Sequence, residues 1–325
     1  TAIGTVAALL EGEDADSSSF TFALVNGNGT NDADNSLFTL SGNQLVVNGN
    51  IDFEQNPSLE INIEVNDGAL TYVKAMIINV NDINEAPTDI SLSANAVDEN
   101  VTSGTTVGGF TTTDVDSGDT HTYTLVAGDG STDNNNFSIN GANLLTNTTL
   151  DYETKSSYSI RVKTDDGSSS YEEVFTITVN NLNEAPTDIS LSQTVFFEGI
   201  ASGSTLATIT TTDQDTADTH TFTLVSSGDA QDDDNASFTV SGTSLITNDT
   251  LDFETKSTYA LYLEVNDGTS QYTEAFSLTV SDTNDTAPTT IGLSTTTFAE
   301  DIASGSVIAT LSATDIDTAS LNSFS

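Results

Sequence analysis

Apolar and polar residues alternate along much of the chain, which is the two-residue period of a β-strand with one buried face. In the segment 257–265 (STYALYLEV) every second residue is apolar, and 58–65 (SLEINIEV) repeats the pattern. No segment shows the 3.6-residue apolar stripe of an amphipathic helix. The pattern therefore predicts an all-β protein.

Short turn signals separate pairs of these predicted strands. The sequences NDG at 66–68, DDG at 165–167 and NDG at 266–268 each stand between two alternating segments. Asp-Gly at such a position is a strong signal for a β-hairpin. The strands on either side are therefore expected to be antiparallel neighbours.

The chain also repeats itself at long range. NEAPTDISLS begins at Asn84 and again at Asn183, and NDTAPTTIGLS begins at Asn284. The motifs LDxE (or IDFE) and DxD keep step with these copies, so the period is near 100 residues, the size of a whole sandwich domain. We therefore expect tandem seven-stranded Greek-key β-sandwiches in an elongated rod. Their predicted bounds are 1–86 (lacking its first strand), 87–185, 186–286 and 287–325 (first strands only).

The most informative property of the composition is its charge. The 325 residues include 49 acidic and 5 basic side chains, a formal net charge of -44. Such a balance excludes nucleic acid as a partner and argues against docking on anionic lipid. Disorder does not explain the charge, because apolar residues recur at strand spacing throughout. Two explanations of the acidic excess remain: adaptation to salty surroundings, and carboxylates that serve as ligands for cations.

The positions of the acids favour cation ligands. They recur in the loops at strand ends, in LDxE, in DxD, in the linkers and in the Asp-Gly turns. In a tandem sandwich, such loops of adjacent domains lie close to the linker between them. Calcium requires about six to eight oxygen ligands gathered in this way. The chain has no cysteine, so neither a disulfide nor a thiolate metal site is available.

Two histidines, His121 and His220, stand at one repeat position, where the first repeat has Phe20. Because the histidine is not repeated there, we interpret this position as a strand residue at the rim of the core. No Ser-His-Asp arrangement, phosphate loop or isolated carboxylate pair stands apart from the repeat. The sequence therefore predicts no enzyme.

With these motifs the chain resembles the cadherin family, specifically the cadherin-like repeats of giant bacterial surface adhesins, over essentially its whole length. The resemblance implies cadherin/Ig-like sandwiches with calcium at each junction. Its ligands would be a Glu near the first strand, the acids of LDxE, a linker of DxNDNxP type, both aspartates of DxD and an Asp at the later hairpin. The linkers DINEAP and NLNEAP are one residue shorter than that form, DTNDTAP keeps its length, and Asn181 replaces the expected linker Asp.

The resemblance assigns three sets of calcium ligands by position, each with seven carboxylates and one Asn. The first set is Asp52, Glu54, Asp82, Asn84, Glu85, Asp114, Asp116 and Asp166. The second set is Glu99, Asp151, Glu153, Asn183, Glu184, Asp213, Asp215 and Asp267. The third set is Glu198, Asp252, Glu254, Asp282, Asn284, Asp285, Asp315 and Asp317.

The resulting hypothesis is a calcium-stiffened extender segment of an extracellular adhesin or surface filament. Its partners would be further repeats of the same long chain or neighbouring copies in a filament, with a cell-surface or glycan ligand bound through other regions. We expect this chain to be part of a longer array of repeats rather than a complete subunit with its natural ends. A sheath or surface-layer subunit, and a glycan-binding or homotypic module, are the alternatives; the absence of Trp weakens the glycan case.

Overall fold

The computed structural model describes residues 2–317, which form two compact units divided between Asn180 and Asn181. Predictions for Thr1 and for 318–325, the end of the incomplete fourth repeat, lie outside the described residues. The prediction of an all-β fold is confirmed. Within 2–317 the only helical elements are four short 3₁₀ turns, and no helix is long and apolar enough to cross a membrane. These turns are Asn35–Leu37, Asn134–Asn136, Ala230–Asp232 and Asn235–Ser237.

The first unit contains the first two repeats. The strands of the first repeat are β1 (Val6–Leu9), β2 (Thr21–Leu24), β3 (Phe38–Ser41), β4 (Gln44–Val47), β5 (Ser58–Asn66) and β6 (Thr71–Asn79). The strands of the second repeat are β7 (Asp89–Leu92), β8 (Ala96–Asp98), β9 (Thr106–Thr113), β10 (Thr122–Leu125), β11 (Phe137–Asn140), β12 (Asn143–Thr146), β13 (Ser157–Asp165) and β14 (Ser170–Asn180).

The second repeat is a sandwich of two four-stranded sheets, in the orders β7-β9-β12-β11 and β8-β14-β13-β10. The short β7 and β8 are two parts of the first edge strand: β7 pairs antiparallel with β9, and β8 pairs parallel with β14. The strand alternation turns Leu144, Ile160 and Ile177 inward, each 0% exposed. These residues belong to one apolar core between the sheets.

The first repeat has two three-stranded sheets, β1-β4-β3 and β2-β5-β6, around a smaller core that includes Leu45 and Ile61. Its described residues contain no counterpart of β7 or β8. The segment 10–13 is therefore not in a strand, whereas the corresponding 110–113 pairs with β7. The sheets consequently border an open cleft whose lining includes Leu9 and Tyr72, 63% and 66% exposed.

The second unit contains the third repeat and the described part of the fourth. The strands are β15 (Asp188–Leu191), β16 (Val195–Phe197), β17 (Thr205–Thr212), β18 (Thr221–Leu224), β19 (Phe238–Ser241), β20 (Ser244–Thr247), β21 (Thr258–Asn266), β22 (Gln271–Ser281), β23 (Thr290–Leu293) and β24 (Leu311–Thr314). The third repeat has the sheets β15-β17-β20-β19 and β16-β22-β21-β18, and β23 pairs with β24. Leu245, Leu261 and Leu263, each 0% exposed, lie in the third repeat's core.

The predicted hairpins are confirmed, but their loops are longer than a two-residue type I′ turn. In the β5–β6 hairpin, Asn66 pairs with Thr71, so four residues form the loop. Gly68 has a φ of 101°, in the region that favours glycine. The Asp67 carboxylate accepts hydrogen bonds from the backbone N–H groups of Ala69 and Leu70, both at 2.7 Å. The Asp of each such loop is therefore held at the end of the sandwich.

Candidate metal centre

The first predicted ligand set lies within the first unit, where loops of both its repeats meet the linker 80–88. Residues 52–54 precede β5, Asp114 and Asp116 follow β9, and Asp166 lies in the β13–β14 turn. One carboxylate oxygen from each of four residues lies within 4.8 Å of the others. These four are Glu54, Asp82, Glu85 and Asp116, here called the first acidic group.

Asp116 is the buried member of the first acidic group, only 8% exposed. Its Oδ2 accepts the backbone N–H of Glu85 at 2.7 Å. Its Oδ1 is buried and has no hydrogen-bond partner. An ionised oxygen buried without a donor is unfavourable. The geometry therefore provides a place for a positive charge that no side chain of the group supplies.

A second cluster adjoins the first and consists of Asp114, Asp119 and Asp166, again with oxygens within 4.8 Å of one another. The Asn84 amide donates to Asp166 Oδ2 at 3.1 Å, which ties the linker to the β13–β14 turn. Asp52 is in neither cluster, and its two carboxylate oxygens accept hydrogen bonds from Gln55. The sequence analysis did not identify Asp119 as a ligand, because the first repeat reads DADSSS and has no Asp at this spacing.

Repulsion among these carboxylates contributes to raising several of their pKa values. Partial burial and then the charges of Asp116 and Asp82 raise the pKa of Glu85. Partial burial and then Asp116 raise the pKa of Asp119 in the same way. For Glu54, its own backbone N–H lowers the pKa, but burial together with neighbouring carboxylates raises it overall. By contrast, hydrogen bonds from the backbone of Ser169 and Ser168 lower the pKa of Asp166.

The third predicted ligand set lies within the second unit and forms two overlapping clusters. Glu198, Asp252 and Glu254 form one, and Glu254, Asp285 and Asp317 form the other. Glu254 is therefore a member of both clusters. Its Oε1 is buried with no hydrogen-bond partner, and burial together with the charge of Glu198 raises its pKa.

Backbone donors fix the other members of the third set. Glu198 is 8% exposed and accepts the backbone N–H groups of Thr283 and Phe253, which lower its pKa. Asp317 accepts the backbone N–H of Thr286 at 3.0 Å, and its own backbone N–H donates to Asp315 at 3.2 Å.

The linker residue Asp282 lies in neither cluster, but its charge also contributes to raising the pKa of Glu254. Asp282 Oδ1 is buried, and Asn284 follows two residues later.

The second predicted ligand set is divided between the two units. In the first unit Glu99 is 1% exposed and accepts the backbone N–H of Tyr152 at 2.8 Å. Asp151 accepts hydrogen bonds from the backbone and hydroxyl of Thr154, and Glu153 is exposed. These residues repeat the local geometry of Glu198, Asp252 and Glu254.

In the second unit, the members of the second set repeat the geometry of the first. The Asn183 amide donates to Asp267 at 3.1 Å, and the backbone N–H of Glu184 donates to Asp215 at 2.8 Å. Asp215 in turn accepts at Oδ1 from the Asn181 amide, 3.1 Å away. The corresponding oxygen of Asp116 has no such donor.

Sequence reasoning placed His121 and His220 at the rim of the core and assigned them no chemistry. The structure places each ring just before β10 or β18, with Nε2 on the first Asp of DxD. His121 lies 3.0 Å from Asp114 Oδ2, and His220 lies 2.7 Å from Asp213 Oδ2. The histidines therefore contact predicted ligands directly.

The basic side chains lie elsewhere. The chain has five Lys and Arg residues, and four of them pair with acids outside the three ligand sets. The pairs are Lys155–Asp133, Arg161–Glu172, Lys163–Asp165 and Lys256–Asp234. Lys74 lines the cleft of the first repeat. The acidic clusters are therefore not neutralised by Lys or Arg within either unit.

Comparisons with known proteins agree with this architecture. Residues 94–180 match the family model described as a cadherin domain. Protocadherin Fat 4 of Homo sapiens is 28% identical over 250 residues, which cover 74% of this chain and 5% of that protein. The Mus musculus protein is 29% identical over 251 residues, again 5% of its length. The chain therefore spans a small part of these relatives.

Solved structures show the same fold. A protocadherin gammaB7 EC3-6 cis-dimer structure has a TM-score of 0.68 at 21% identity, covering 98% of this chain and 80% of that one. Mouse cadherin-23 EC22-24 has a TM-score of 0.60 at 22% identity, covering 87% of this chain and 93% of that one. The chain therefore has the fold of tandem cadherin domains, and its residues 94–180 match the cadherin-domain family.

Proposed function

We propose that the chain is a calcium-stiffened extender segment of an extracellular adhesin or surface filament. The observation that carries this proposal is Asp116, a carboxylate 8% exposed, with one oxygen unpartnered, among Glu54, Asp82 and Glu85. Because the Lys and Arg side chains lie elsewhere, the compensating charge has to come from solution.

The donor set supports calcium in particular. Each cluster offers several carboxylate oxygens, and the chain has no thiolate. Calcium takes six to eight oxygens in adaptable geometry, whereas magnesium requires a smaller, near-octahedral shell. Carboxylates drawn from several loops fit the calcium requirement better.

The mechanism follows from where the ligands originate. In the first unit, Glu54 and Asp82 belong to the first repeat and its exit, whereas Asp116 belongs to the second. Without a cation these carboxylates repel one another. A bound calcium ion turns the repulsion into attraction and ties consecutive repeats to one set of ligands. Binding only to the ordered junction also stabilises that state by mass action.

The extracellular placement rests on the relatives. Protocadherin GammaB4 and Gamma B2 structures are described as extracellular domains, and both share the fold of this chain. Calcium is abundant outside cells, and ions would provide reinforcement that many secreted domains obtain from disulfides. A segment of this kind would hold a distal binding region away from the surface.

Calorimetric titration of the full chain with calcium tests the proposal. We expect several ions per chain and weaker binding of magnesium. Asp116→Asn should weaken the sites of the first set by roughly tenfold, because ligand charge governs affinity in oxygen sites. The matched control is Asp233→Asn, an exposed loop residue outside the ligand sets, which should bind as the wild type does. Absence of binding at millimolar calcium would refute the proposal.

A further inference from the structure

The two histidines make the same contact in two separate repeats. His121 Nε2 lies 3.0 Å from Asp114 Oδ2, and His220 Nε2 lies 2.7 Å from Asp213 Oδ2. Both aspartate side chains are 3% exposed, and the histidine side chains are 15% and 16% exposed. A contact this well enclosed and repeated is a built feature of the fold.

The contact leaves both oxygens of each aspartate in a fixed orientation. Asp114 Oδ1 accepts the backbone N–H of Asp116 at 3.2 Å, while Oδ2 faces the imidazole. Asp213 makes the same pair of contacts, with the backbone N–H of Asp215 at 3.2 Å. A carboxylate that binds calcium is ionised and can only accept, so in the calcium-bound protein the ring nitrogen would be the donor in each case.

The first repeat shows the arrangement without histidine, because Phe20 stands at the same repeat position. There the Asp14 carboxylate still accepts the backbone N–H of Asp16 at 3.1 Å. Its other contact is different: the Asp14 and Asp16 side chains interact with each other. Hydrogen bonds from the Asp16 backbone and side chain lower the pKa of Asp14, while the Asp14 side chain raises that of Asp16.

We propose that His121 and His220 are positioning residues for calcium, each holding the first aspartate of its DxD motif with its Nε2–H. The inference rests on the proposed calcium function and deepens it. By engaging Oδ2, the imidazole keeps the first aspartate apart from the second, so that both carboxylates present their remaining lone pairs to the cation.

The imidazole itself is not a ligand. Calcium selects oxygen donors, and the ring nitrogen is directed at the aspartate rather than into the acidic cluster. Groups that hydrogen-bond to metal ligands typically change metal affinity by about 10–100-fold when removed. The histidines are placed to act in this way on Asp114 and Asp213.

Substitution in the full chain separates positioning from packing. His121→Phe introduces the residue found at position 20 and keeps an aromatic ring but removes the donor. His121→Gln retains a side-chain N–H near the place of Nε2. We expect the Phe variant to lose about tenfold in calcium affinity at the sites containing Asp114, and the Gln variant to recover most of it. The third set serves as an internal reference, because it has no histidine at this position. Asn322 stands seven residues after Asp315, the spacing at which the histidines follow Asp114 and Asp213.

The outcomes are distinguishable. If the wild type binds no calcium, the proposed function fails. If it binds and the Phe variant binds equally well, the positioning role fails. Equal losses in the Phe and Gln variants would show a packing role instead. Nitrogen-15 spectra of the calcium-loaded wild type give a second test that needs no variant: the Nε2–H tautomer is expected, and the Nδ1–H tautomer would overturn the proposal.

Discussion

At the scale of single residues, the amide of Asn181 and the carboxylate of Asp82 occupy the same position in the repeat but cannot act alike. Asn181 donates to Asp215 Oδ1, whereas the equivalent oxygen of Asp116 has no partner. One amide therefore both removes a negative charge and occupies an oxygen that is otherwise available to a cation. Both effects weaken an oxygen site for calcium.

The first prediction follows from this comparison. Asn181→Asp should tighten the calcium sites that contain Asp215 by roughly several-fold, because the ligand charge rises and the Asp215 oxygen is released. In the absence of calcium the same substitution should lower the stability of the folded protein, since it adds electrostatic repulsion among the carboxylates. Calorimetric titration measures the affinity.

Asn140→Asp, on the exposed hairpin between β11 and β12, adds the same charge outside the ligand sets and serves as the control. Equal affinities for the wild type and the Asn181 variant would mean that position 181 does not touch the cation.

The second prediction concerns pH. In the calcium-free protein, the pKa of Glu85 is raised by partial burial and by Asp116, so the folded state binds this proton more tightly than the unfolded one. Such a group destabilises the fold above its folded pKa and ceases to do so as pH falls through that value toward the ordinary Glu value. With chelator present, unfolding should therefore occur at a higher temperature at about pH 5 than at pH 7.

Calcium should reverse this order, because protonation competes with the cation for the same oxygens. Aspartates with lowered pKa values, such as Asp166, lose their contribution only below the ordinary Asp value, so they do not counter the effect at about pH 5. Thermal unfolding of Glu85→Gln should show a smaller difference between the two pH values. A calcium-free protein that is less stable at the lower pH would contradict the assignment.

At the scale of elements, one acidic side chain connects the two sheets of each complete repeat. Glu173 on β14 accepts the backbone N–H of Ile90 on β7 at 3.2 Å, and Glu274 on β22 accepts that of Ile189 on β15 at 3.0 Å. In each repeat this hydrogen bond holds the short first strand in place. Ile90 and Ile189, whose N–H groups donate it, are each 2% exposed. In the first repeat Lys74 stands at this position and cannot accept.

The third prediction tests this connection. Glu274→Ala should destabilise the third repeat by about 1–3 kcal/mol, because it leaves the N–H of Ile189 without its charged acceptor. Chemical denaturation measures the loss. Glu264→Ala, on the outward-facing side of β21, is the control and should cost less than this. If the two variants unfolded alike, the contact between β22 and β15 would not contribute to stability.

The sequence predicted elements well because their signals are local. The alternation at 58–65 and 257–265 corresponds to β5 and β21, and the Asp-Gly turns are hairpins. The length of the loops was not predicted; in the β5–β6 hairpin the Asp67 carboxylate accepts hydrogen bonds from two backbone N–H groups and stabilises a four-residue loop. Asp119 and the contact of His121 with Asp114 were not predicted, because the first repeat has neither residue and the sequence argument relied on repetition.

At the scale of the whole molecule, the separation of cores from acids decides what calcium can change. The cores contain residues such as Ile61, Ile160 and Leu261, each 0% exposed, and belong to single repeats. The clustered carboxylates lie in loops and linkers instead. With a formal charge of -44, the chain also repels itself when cations are removed.

The last prediction is that chelation loosens the junctions and leaves the sandwiches folded. Core amides such as those of Ile160 and Leu261 should keep their protection from hydrogen exchange, because their hydrogen bonds and packing involve no cation. Amides of the linker residues 82–85 should exchange faster, since the groups holding them repel one another without calcium. Small-angle scattering should show a change in maximum dimension on chelation, and Asp116→Asn should show it at a higher calcium concentration than Asp233→Asn. If scattering and linker exchange were the same with and without calcium, the acids would serve solubility in salt rather than stiffening. If core protection were lost together with linker protection, calcium would be required for folding each repeat, and the extender mechanism would be wrong.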